Sequence, residues 1–403
     1  MHPGGALTGR ALILSGSLGH GHDVIAGVIA GSLERLSWRV QVLDCMTMLG
    51  PIGAKLGDRV FRRLTSMPGI YDGLHFGHLR RSSRITRFMD REATRRLVPA
   101  LEEELEREPA ELVVSAFATG ASSAAKLTQS SRRPKTMVLC TDATLHRLWV
   151  REGIDLFLVT SSAAAATVRR DLPRANVAIV PPPVRDGFYA VVSQGAARRA
   201  AGIPDHVPCV LMMGGGWGLG PLGKVASGLT GAGMHVLAVA GRNVKLERDL
   251  RRRAEDDPLL HAFGYSDRIP ELMAAADLVL TTPGATTCSE ARVVGRPLVL
   301  LDVVPGHGRE NLQHELEVGE ADACGSDPTE VVDVVTAALE RIERPVSVGA
   351  RPPGEWDEAF GAALARIGLA PSRLFADPPL PAPSMASLVS LGGDPVVGPR
   401  GEA

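Results

Sequence analysis

The histidine at position 22 is suited to acid–base chemistry, and the segment before it, residues 16–21, is rich in glycine. An imidazole titrates near neutral pH, so it can take a proton from a hydroxyl group. Gly19 and Gly21 let the backbone approach a ligand closely, although their spacing is not that of a dinucleotide fingerprint. His22 is therefore a candidate general base, and the alternative is a histidine that caps the following helix.

Two further loops are suited to binding a phosphorylated ligand. Residues 214–220 hold five glycines, Gly215 and Gly216 among them, and consecutive glycines expose backbone N–H groups that can hold a diphosphate. Residues 281–290 place hydroxyl groups before a predicted helix, where Glu290 can accept hydrogen bonds from ribose hydroxyls. The alternatives are a flexible turn for the first loop and a capping box for the second.

Short strands that alternate with helical patterns must position these loops. The strand candidates are β-branched or rich in leucine, and the helix after the first one has apolar residues at a 3.6-residue period. Ligands of parallel sheets bind beyond the carboxyl ends of the strands, where all three loops lie. Strands are predicted in a first series at residues 11–15, 39–44, 112–115, 136–140, 155–159 and 177–180, and in a second at 208–213, 234–239, 260–263, 277–280 and 297–301.

The two series predict two Rossmann-like α/β domains that face each other across a cleft. Three consecutive prolines at 181–183 cannot continue a central strand or a helix, so they indicate the linker. We expect the domains to span residues 1–183 and 184–345. Residues 346–370 are predicted to form a helix that packs back on the first domain, and residues 371–403, rich in Pro, Gly, Ser and Ala, a disordered tail.

The composition is that of an ordinary globular chain. Among 403 residues, 44 basic against 45 acidic side chains give a net charge of −1, which argues against a nucleic-acid partner. Neither a signal-like segment nor an apolar run of about 18 residues occurs, so we expect a cytoplasmic protein. The five cysteines lie far apart without a CxxC pair, which predicts neither a disulfide framework nor a zinc site. Since no Asp-x-Asp pair or other ligand cluster occurs, neither a metal nor a cofactor is expected.

Several motifs follow one another in the order found in one group of glycosyltransferases. They are GHGH at residues 19–22, TD followed by His and Trp in residues 141–149, GRN at 241–243, FGY at 263–265, GATTCSEA at 284–291, and PG with a later Asn in residues 305–311. Over most of residues 11–342 the chain resembles GT-B enzymes of the monogalactosyldiacylglycerol synthase and processive diacylglycerol glucosyltransferase family. A more distant resemblance is to the peptidoglycan enzyme that adds N-acetylglucosamine to lipid-linked muramyl-pentapeptide.

This resemblance implies roles for the matched residues. The N-terminal domain would bind the acceptor, with His22 as the catalytic base and Gly19, Gly21, His146 and Trp149 at the acceptor. Asp142 would orient the base or bind acceptor, and the alternative is a helix cap. The C-terminal domain would bind a UDP-sugar through Gly215, Gly216, Arg242, Asn243, Phe263, Tyr265, Gly284, Thr286, Thr287, Glu290, His307 and Asn311.

Three positions depart from the pattern of that family. Thr282 stands where members often carry a lysine before the GxxT element, and the PGQE pattern is changed at His307 and Gly308. Sugar discrimination depends on placed polar groups such as these. The resemblance therefore implies a UDP-sugar without specifying its hexose.

A basic segment, residues 80–96, bears on the acceptor. It contains seven arginines against Asp90 and Glu92, a local charge of plus five. On a helix, positions 80, 84, 87, 91 and 95 share one face and Ile85, Phe88 and Met89 lie on another, a pattern typical of helices on anionic membranes. The alternative is a solvated helix paired with the acidic residues 102–108. The predicted membrane contacts are Arg80, Arg84, Arg87, Phe88 and Arg91.

Together these features predict a metal-independent hexosyltransferase that moves the sugar by direct displacement. His22 would take the proton of a hydroxyl on a membrane lipid such as diacylglycerol, while the glycine loop and Thr287 stabilise the departing diphosphate. We expect peripheral contact with the inner face of the cell membrane. The alternatives are a soluble small-molecule or secondary-metabolite acceptor, a UDP-sugar epimerase of the same fold, a dinucleotide oxidoreductase that uses Asp44 for ribose, and a nucleotide sensor without turnover.

Overall fold

Runs of leucine and β-branched residues form the strands of two parallel sheets with helices on their faces. The computed structural model describes residues 9–17, 21–50, 84–127, 133–191, 193–319, 321–342 and 354–369. Within these ranges each sheet has six strands and every strand pair is parallel, which confirms the predicted α/β fold class. Gly19, Arg80 and the predicted tail lie outside the described residues.

The N-terminal sheet has the strand order β2-β1-β3-β4-β5-β6. Its strands are β1 (Gly9–Ser15), β2 (Trp38–Asp44), β3 (Leu112–Ser115), β4 (Lys135–Cys140), β5 (Leu156–Val159) and β6 (Val177–Ile179). The helices described in this half are α1 (Gly21–Arg35), α2 (Cys45–Met48), α3 (Arg84–Arg107), α4 (Ala118–Ala124) and α5 (Ser162–Asp171). The chain moves to opposite sides of β1 to form β2 and β3, so a crevice for a ligand is expected between the ends of β1 and β3.

The C-terminal sheet has the order β12-β11-β10-β7-β8-β9, with the equivalent switch between β7 and β10. Its strands are β7 (Cys209–Met213), β8 (His235–Val239), β9 (Leu260–Phe263), β10 (Leu278–Thr281), β11 (Leu298–Leu301) and β12 (Ala321–Cys324). The remaining helices are α6 (Asp186–Tyr189), α7 (Gln194–Ala201), α8 (Leu222–Gly231), α9 (Val244–Asp256), α10 (Ile269–Ala275), α11 (Ala285–Val294), α12 (His307–Val318), α13 (Pro328–Glu340) and α14 (Glu355–Arg366).

Each sheet is covered by apolar clusters on both faces. Val180 belongs to a cluster of the N-terminal half and Val184 to one of the C-terminal half, so the three prolines lie between the two cores. Contacts join both halves into one unit, residues 1–372.

The last helix, α14, packs against the N-terminal half. Trp356 and Phe360 stack with ring centroids 5.2 Å apart and share a cluster with Ile29 of α1. Nε1 of Trp356 donates to Oγ of Ser32 at 2.9 Å, which satisfies the buried indole. The end of the described chain is thereby fixed to its first helix.

The five cysteines are all buried and unbonded. Burial raises the pKa of the Cys45, Cys209 and Cys288 thiols to about 12 and that of Cys324 to about 11. They pack as small apolar residues. None of the described helices is long and apolar enough to span a bilayer.

Candidate active site

His22 lies in the first turn of α1, beyond the carboxyl end of β1 and beside the end of β3. Its Nδ1 atom is 2.8 Å from the carbonyl oxygen of Ala116. A carbonyl oxygen only accepts hydrogen bonds, so Nδ1 carries the hydrogen and Nε2 keeps its lone pair. This contact does not fit the helix-capping alternative, because the ring binds the residue after β3 instead of its own helix start.

Aromatic rings enclose this imidazole. The ring of Phe117 meets it edge-on at a centroid distance of 5.2 Å, and Trp149 lies at 6.2 Å. Gly16 permits the close approach of Phe117, since a Cβ atom at position 16 would lie 2.5 Å from the ring. The burial lowers the pKa of His22, and the negative charge of Asp142 partly opposes that shift. A neutral imidazole with a free Nε2 lone pair is the form that a general base requires.

The predicted acceptor residues His146 and Trp149 lie on the loop after β4, with ring centroids 6.3 Å apart. Trp149 is buried in the core, and His22 contacts it on one side. The structure therefore brings His22, His146 and Trp149 together at one end of the N-terminal sheet. Phe117 and Ala116 join them and were not predicted. The signal for them was the switch point, because both residues directly follow β3.

Asp142 makes its contact with the other half of the protein. Its Oδ1 atom accepts a hydrogen bond from Nδ2 of Asn311 at 3.1 Å, and Oδ1 of Asn311 accepts from the N–H of Ala143 at 2.9 Å. Beside this pair, Oγ1 of Thr144 donates to Oε2 of Glu310 at 2.5 Å. No helix starts at Asp142 in the described part of the chain, so the helix-cap alternative is wrong. Asn311, predicted at the donor sugar, has both ends of its amide on the N-terminal half.

A second contact between the halves joins the starts of two helices. A Cβ atom built on Gly21, at the start of α1, would lie 3.5 Å from Oγ1 of Thr286 in the first turn of α11. The cap residue of α11 is Gly284, and no side chain caps it, so the capping-box alternative is wrong. Thr286 and Thr287 therefore place two hydroxyl groups at the N-terminus of α11 without capping it, and that of Thr286 lies close to Gly21.

Glu290, one turn further along α11, is buried and ion-paired. Nε and Nη2 of Arg185 lie 2.9 and 2.8 Å from its Oε1 atom, and Glu290 is only 2% exposed. The Arg185 guanidinium also lies 4.9 Å from the centroid of the Phe188 ring, which anchors it. No sequence pattern pointed to Arg185, because the pair joins residues 105 positions apart.

The glycine loop packs against the loop after β8. Gly215 and Gly241 have positive φ angles of 65° and 58°, which side chains rarely adopt. A Cβ atom at position 241 would lie 2.9 Å from the carbonyl oxygens of Gly215 and Gly216, and the N–H of Arg242 donates to the latter at 3.0 Å. Glycine is therefore required at position 241 because two backbones pack closely there. A flexible turn, the alternative for this loop, would not require such packing.

The other predicted donor residues lie near this pair of loops. Asn243 caps α9 by accepting from the N–H of Leu246 at 3.0 Å, and its Nδ2 donates to the carbonyl of Trp217 at 3.3 Å. The guanidinium of Arg242 lies 5.2 Å from the ring centroid of Tyr265, which is half exposed. Phe263 ends β9, and its carbonyl oxygen accepts from the N–H of Ala240. These side chains follow β7, β8 and β9 along one edge of the sheet.

The altered PGQE segment starts α12. Gly306 has a φ of 65° and precedes His307, the first residue of the helix. A Cβ atom at position 308 would lie 2.5 Å from Cβ of Val304. Position 308 therefore has no room for a side chain while Val304 keeps its place, so the family glutamate does not fit there.

The described part of the basic segment, residues 84–96, forms the start of α3. Arg84, Arg87 and Arg91 are exposed, and Phe88 is 65% exposed. Phe88 is four residues from Arg84 and three from Arg91, so it shares their surface instead of the separate apolar face that was expected. The acidic residues 102–108 do not pair with this surface in the described structure: Glu104 binds Arg10 and Arg107, and Glu108 binds Arg10 and Arg39. The described residues therefore show the solvation that the alternative predicted, without the pairing to the acidic residues.

Asp44 does not offer a carboxylate for ribose. Its oxygens accept from the N–H of Met46 at 2.9 Å and from Oγ of Ser17 at 2.9 Å, so it caps α2 and ties the loop after β1. The oxidoreductase alternative therefore loses the acid on which it relied. Among the residues described, no three His, Cys, Asp or Glu side chains come together as metal ligands.

Two family models match the chain in its two halves. The monogalactosyldiacylglycerol (MGDG) synthase model matches residues 22–184, and the glycosyltransferase family 28 C-terminal domain matches residues 222–326. The probable chloroplastic monogalactosyldiacylglycerol synthase of Glycine max is 28% identical over 214 residues, 50% of this chain and 39% of that protein. The processive diacylglycerol beta-glucosyltransferase of Bacillus subtilis (strain 168) is 29% identical over 208 residues, 51% of this chain and 54% of that protein. The chain thus spans about half the length of these curated relatives.

Solved structures share the fold at low sequence identity. The UDP-GlcNAc 2-epimerase of Neisseria meningitidis has a TM-score of 0.58 at 12% identity, covering 89% of this chain and 100% of that one. The MurG structure of Acinetobacter baumannii has a TM-score of 0.51 at 13% identity, covering 90% and 95%. Because a transferase and an epimerase share it, this likeness shows the GT-B fold alone. The chain thus has the GT-B fold; its N-terminal half is similar to monogalactosyldiacylglycerol synthases and its C-terminal half to family 28 glycosyltransferases.

Proposed function

We propose that this protein transfers a hexosyl group from a UDP-sugar to a hydroxyl group of a membrane lipid such as diacylglycerol. The observation that carries the proposal is the meeting of two helix starts: a Cβ atom built on Gly21, next to His22, would lie 3.5 Å from Oγ1 of Thr286. A base on one half therefore lies beside hydroxyl groups and helix amides suited to phosphate on the other. The diacylglycerol glycosyltransferases among the relatives support the lipid acceptor.

The proposed reaction is a direct displacement at the anomeric carbon. Nε2 of His22 takes the proton of the acceptor hydroxyl as its oxygen bonds to that carbon, and the bond from the carbon to the diphosphate oxygen breaks. The departing diphosphate carries negative charge, which the N–H groups of residues 214–220, the start of α11 and the hydroxyl of Thr287 stabilise. The glycine loop is held by its packing against the loop after β8, so its N–H groups need little reorganisation during the reaction.

The donor is proposed to lie along the carboxyl edge of the C-terminal sheet. Glu290 would accept hydrogen bonds from the ribose hydroxyls, and its ion pair with Arg185 fixes the position of that buried carboxylate. The uracil would lie near Phe263 and Tyr265, and the sugar near His307. Since position 308 has no room for a side chain, the imidazole of His307 would be the polar group that meets the hexose there.

The acceptor is proposed to be met at a membrane surface. Exposed Arg84, Arg87 and Arg91 surround the exposed ring of Phe88 at the start of α3, and we call these four residues the basic face. Arginines near an anionic surface each contribute on the order of 1 kcal/mol, and a ring among them can enter the interface. The basic face would hold the enzyme where its lipid acceptor is.

The test is a comparison of UDP release with and without acceptor. The purified 403-residue chain is incubated with UDP-glucose, UDP-galactose or UDP-N-acetylglucosamine, either alone or with diacylglycerol in mixed micelles, and the lipid product is identified by mass spectrometry. Glycosylated diacylglycerol together with acceptor-dependent UDP release supports the proposal. An isomerised sugar formed without acceptor would assign the protein to the epimerases, and product formed only with a soluble phenol or alcohol would overturn the lipid acceptor.

A further inference from the structure

The contact between Asp142 and Asn311 joins the two halves at a point next to the proposed base. The side-chain amide of Asn311, from α12, uses both of its ends on the loop after β4, with Nδ2 on Asp142 and Oδ1 on the N–H of Ala143. Asn311 is 4% exposed, so these bonds exclude water. A donor and an acceptor aimed at two consecutive residues fix the orientation of that amide, because an exchanged O and N would satisfy neither partner.

Asn311 binds the carboxylate of Asp142, and the negative charge of that carboxylate acts on His22. The groups that face the imidazole are Asp142 from the loop after β4, Asp23 from its own helix, the carbonyl of Ala116 and the rings of Phe117 and Trp149. The carboxylate of Asp142 opposes the loss of basicity that burial causes, and its effect exceeds that of Asp23. An imidazolium formed during proton transfer would be stabilised by the same charge.

We propose that Asn311 is a positioning residue that holds the carboxylate of Asp142 beside His22 when the two halves are in contact. The inference rests on the proposed function in taking His22 as the base. Asn311 itself would not touch the reacting atoms. A residue of the donor-binding half would thereby hold a charge beside a base that belongs to the acceptor-binding half. His22 would then reach its full basicity only when the two halves are in contact.

The experiment is a double-mutant cycle read as a pH profile. Asn311→Ala, Asp142→Asn and the double variant are assayed for kcat and donor KM across pH 4.5 to 8, with Thr144→Val as the matched control that loses a neighbouring contact between the halves. We expect Asn311→Ala to lower kcat by about tenfold, a part of the roughly 100- to 10,000-fold that a positioned base supplies. Its acid limb should move to lower pH, since a base that loses a nearby negative charge is protonated less readily.

The cycle separates a positioning role from two others. In the double variant, the loss of Asn311 should add nothing to the effect of Asp142→Asn, and Thr144→Val should keep the wild-type midpoint. If Asn311→Ala raises the donor KM and leaves the acid limb of the pH profile unmoved, Asn311 contacts the sugar instead. If Asn311→Ala lowers kcat equally in the wild type and in Asp142→Asn, its role is structural. Either result overturns the inference. If Asn311→Ala does not fold, Asn311→Ser, whose hydroxyl can still accept from Ala143, replaces it.

A readout without turnover keeps this inference separate from the proposed function. The protonation of His22 in the full chain can be followed by NMR with labelled histidine, in wild type and in Asn311→Ala. A downward shift of the His22 titration supports the inference even if no sugar is transferred. An unchanged titration overturns it even if the enzyme is active.

Discussion

The imidazole of His22 has its tautomer, its surroundings and its charge state set by different residues. Ala116 accepts the hydrogen bond of Nδ1, the rings of Phe117 and Trp149 lie beside the imidazole, and Asp142 supplies a negative charge nearby. Because burial lowers its pKa below the usual 6.5, this histidine stays neutral at pH 7. Its capacity to accept a proton is then lost only as the pH falls through that lowered pKa.

His22→Ala is expected to lower turnover by at least about 100-fold, the lower range of what a positioned general base contributes. The affinity for UDP should change little, because the nucleotide is proposed to bind the other half. UDP release and calorimetric UDP binding measure the two effects. The exposed His206 provides a control, since His206→Ala removes an imidazole far from the site. Turnover within a few-fold of wild type in His22→Ala would remove this residue from the mechanism.

Glu290→Ala is expected to affect nucleotide binding and not turnover. It should lower the affinity for UDP by about tenfold or more, because it removes a hydrogen bond to a charged group. The kcat at saturating donor should stay near wild type, because Glu290 is proposed to hold ribose and not the reacting atoms. Glu255→Ala, which removes an exposed carboxylate of the same half, is the control. UDP affinity equal to that of wild type would refute the placement of ribose at Glu290.

At the scale of elements, two loops of the C-terminal half fit together only because neither has a side chain at the contact. Gly241→Ala would introduce a Cβ atom 2.9 Å from two carbonyl oxygens in a left-handed conformation. The conformation alone costs about 1–2 kcal/mol in the free energy of unfolding. Gly233→Ala is the matched control, since Gly233 has a φ of 82° with nothing within 4 Å. In urea denaturation we expect Gly241→Ala to lower the free energy of unfolding more than Gly233→Ala does. Gly241→Ala should also lower the affinity for UDP, whereas Gly233→Ala should not. Equal effects of the two variants would mean that the contact between the loops is unimportant.

The basic face on α3 is the element on which membrane contact depends. We expect sedimentation with vesicles that contain 30% anionic lipid at low salt, and its loss when Arg84, Arg87 and Arg91 are changed to Gln, since each arginine contributes on the order of 1 kcal/mol. Sodium chloride should weaken binding, because exposed charges are screened. Arg248, Arg251 and Arg252, exposed on α9, give a control with the same change in charge. If the basic-face variant binds as wild type does, membrane contact lies elsewhere.

Elements with a strong local pattern could be predicted from the sequence, and weak ones could not. The strands β3 and β7, built from consecutive valine, leucine and methionine residues, appear within one residue of their predicted bounds. The strand β12 was missed because its sequence, Ala-Asp-Ala-Cys, has no β-branched residue and forms a half-exposed edge. The helix α4 consists largely of small residues, Ala-Thr-Gly-Ala-Ser-Ser-Ala, which carry no apolar period.

The arrangement of the candidate site follows less directly from the sequence than its residue types do. Motif order placed His22 and Glu290 in separate halves, as the structure has them. The partners of these residues depend on how distant segments pack, and no local rule links Asp142 to Asn311, 169 positions away, or Glu290 to Arg185. The spacing grouped Phe88 with Ile85 and Met89, whereas in the structure it shares the exposed surface of Arg84 and Arg91, because the buried face of α3 depends on tertiary packing.

At the scale of the whole molecule, α14 closes the chain onto its beginning. Asp357 accepts from Nε and Nη2 of Arg35 at 2.9 and 2.8 Å and from Oγ of Ser32 at 2.5 Å. Arg35 also reaches Asp186, next to the segment between the halves, at 3.2 Å. Arg35 thus ties α14, α1 and the start of the C-terminal half to one another.

Asp357→Ala is expected to lower the free energy of unfolding by about 1–3 kcal/mol, since it removes hydrogen bonds to a charged group and leaves Ser32 with one partner fewer. Asp186→Ala removes the second carboxylate that pairs with Arg35. The side chain of Asp186 is 80% exposed, so this change should lower the free energy of unfolding by less than about 0.5 kcal/mol. Chemical denaturation of both variants measures the difference. Equal losses would indicate that the contact with α14 contributes no more than an exposed ion pair.

The burial of all five cysteines has a practical consequence for studying how the two halves move. Thiol-directed dyes react with the thiolate, and a thiol inside the core whose pKa is near 12 presents almost none of it at neutral pH. A cysteine introduced on an exposed helix of each half would therefore be labelled selectively in an otherwise unaltered chain. Fluorescence energy transfer between two such dyes would report opening and closing directly, without a cysteine-free background that could disturb the core.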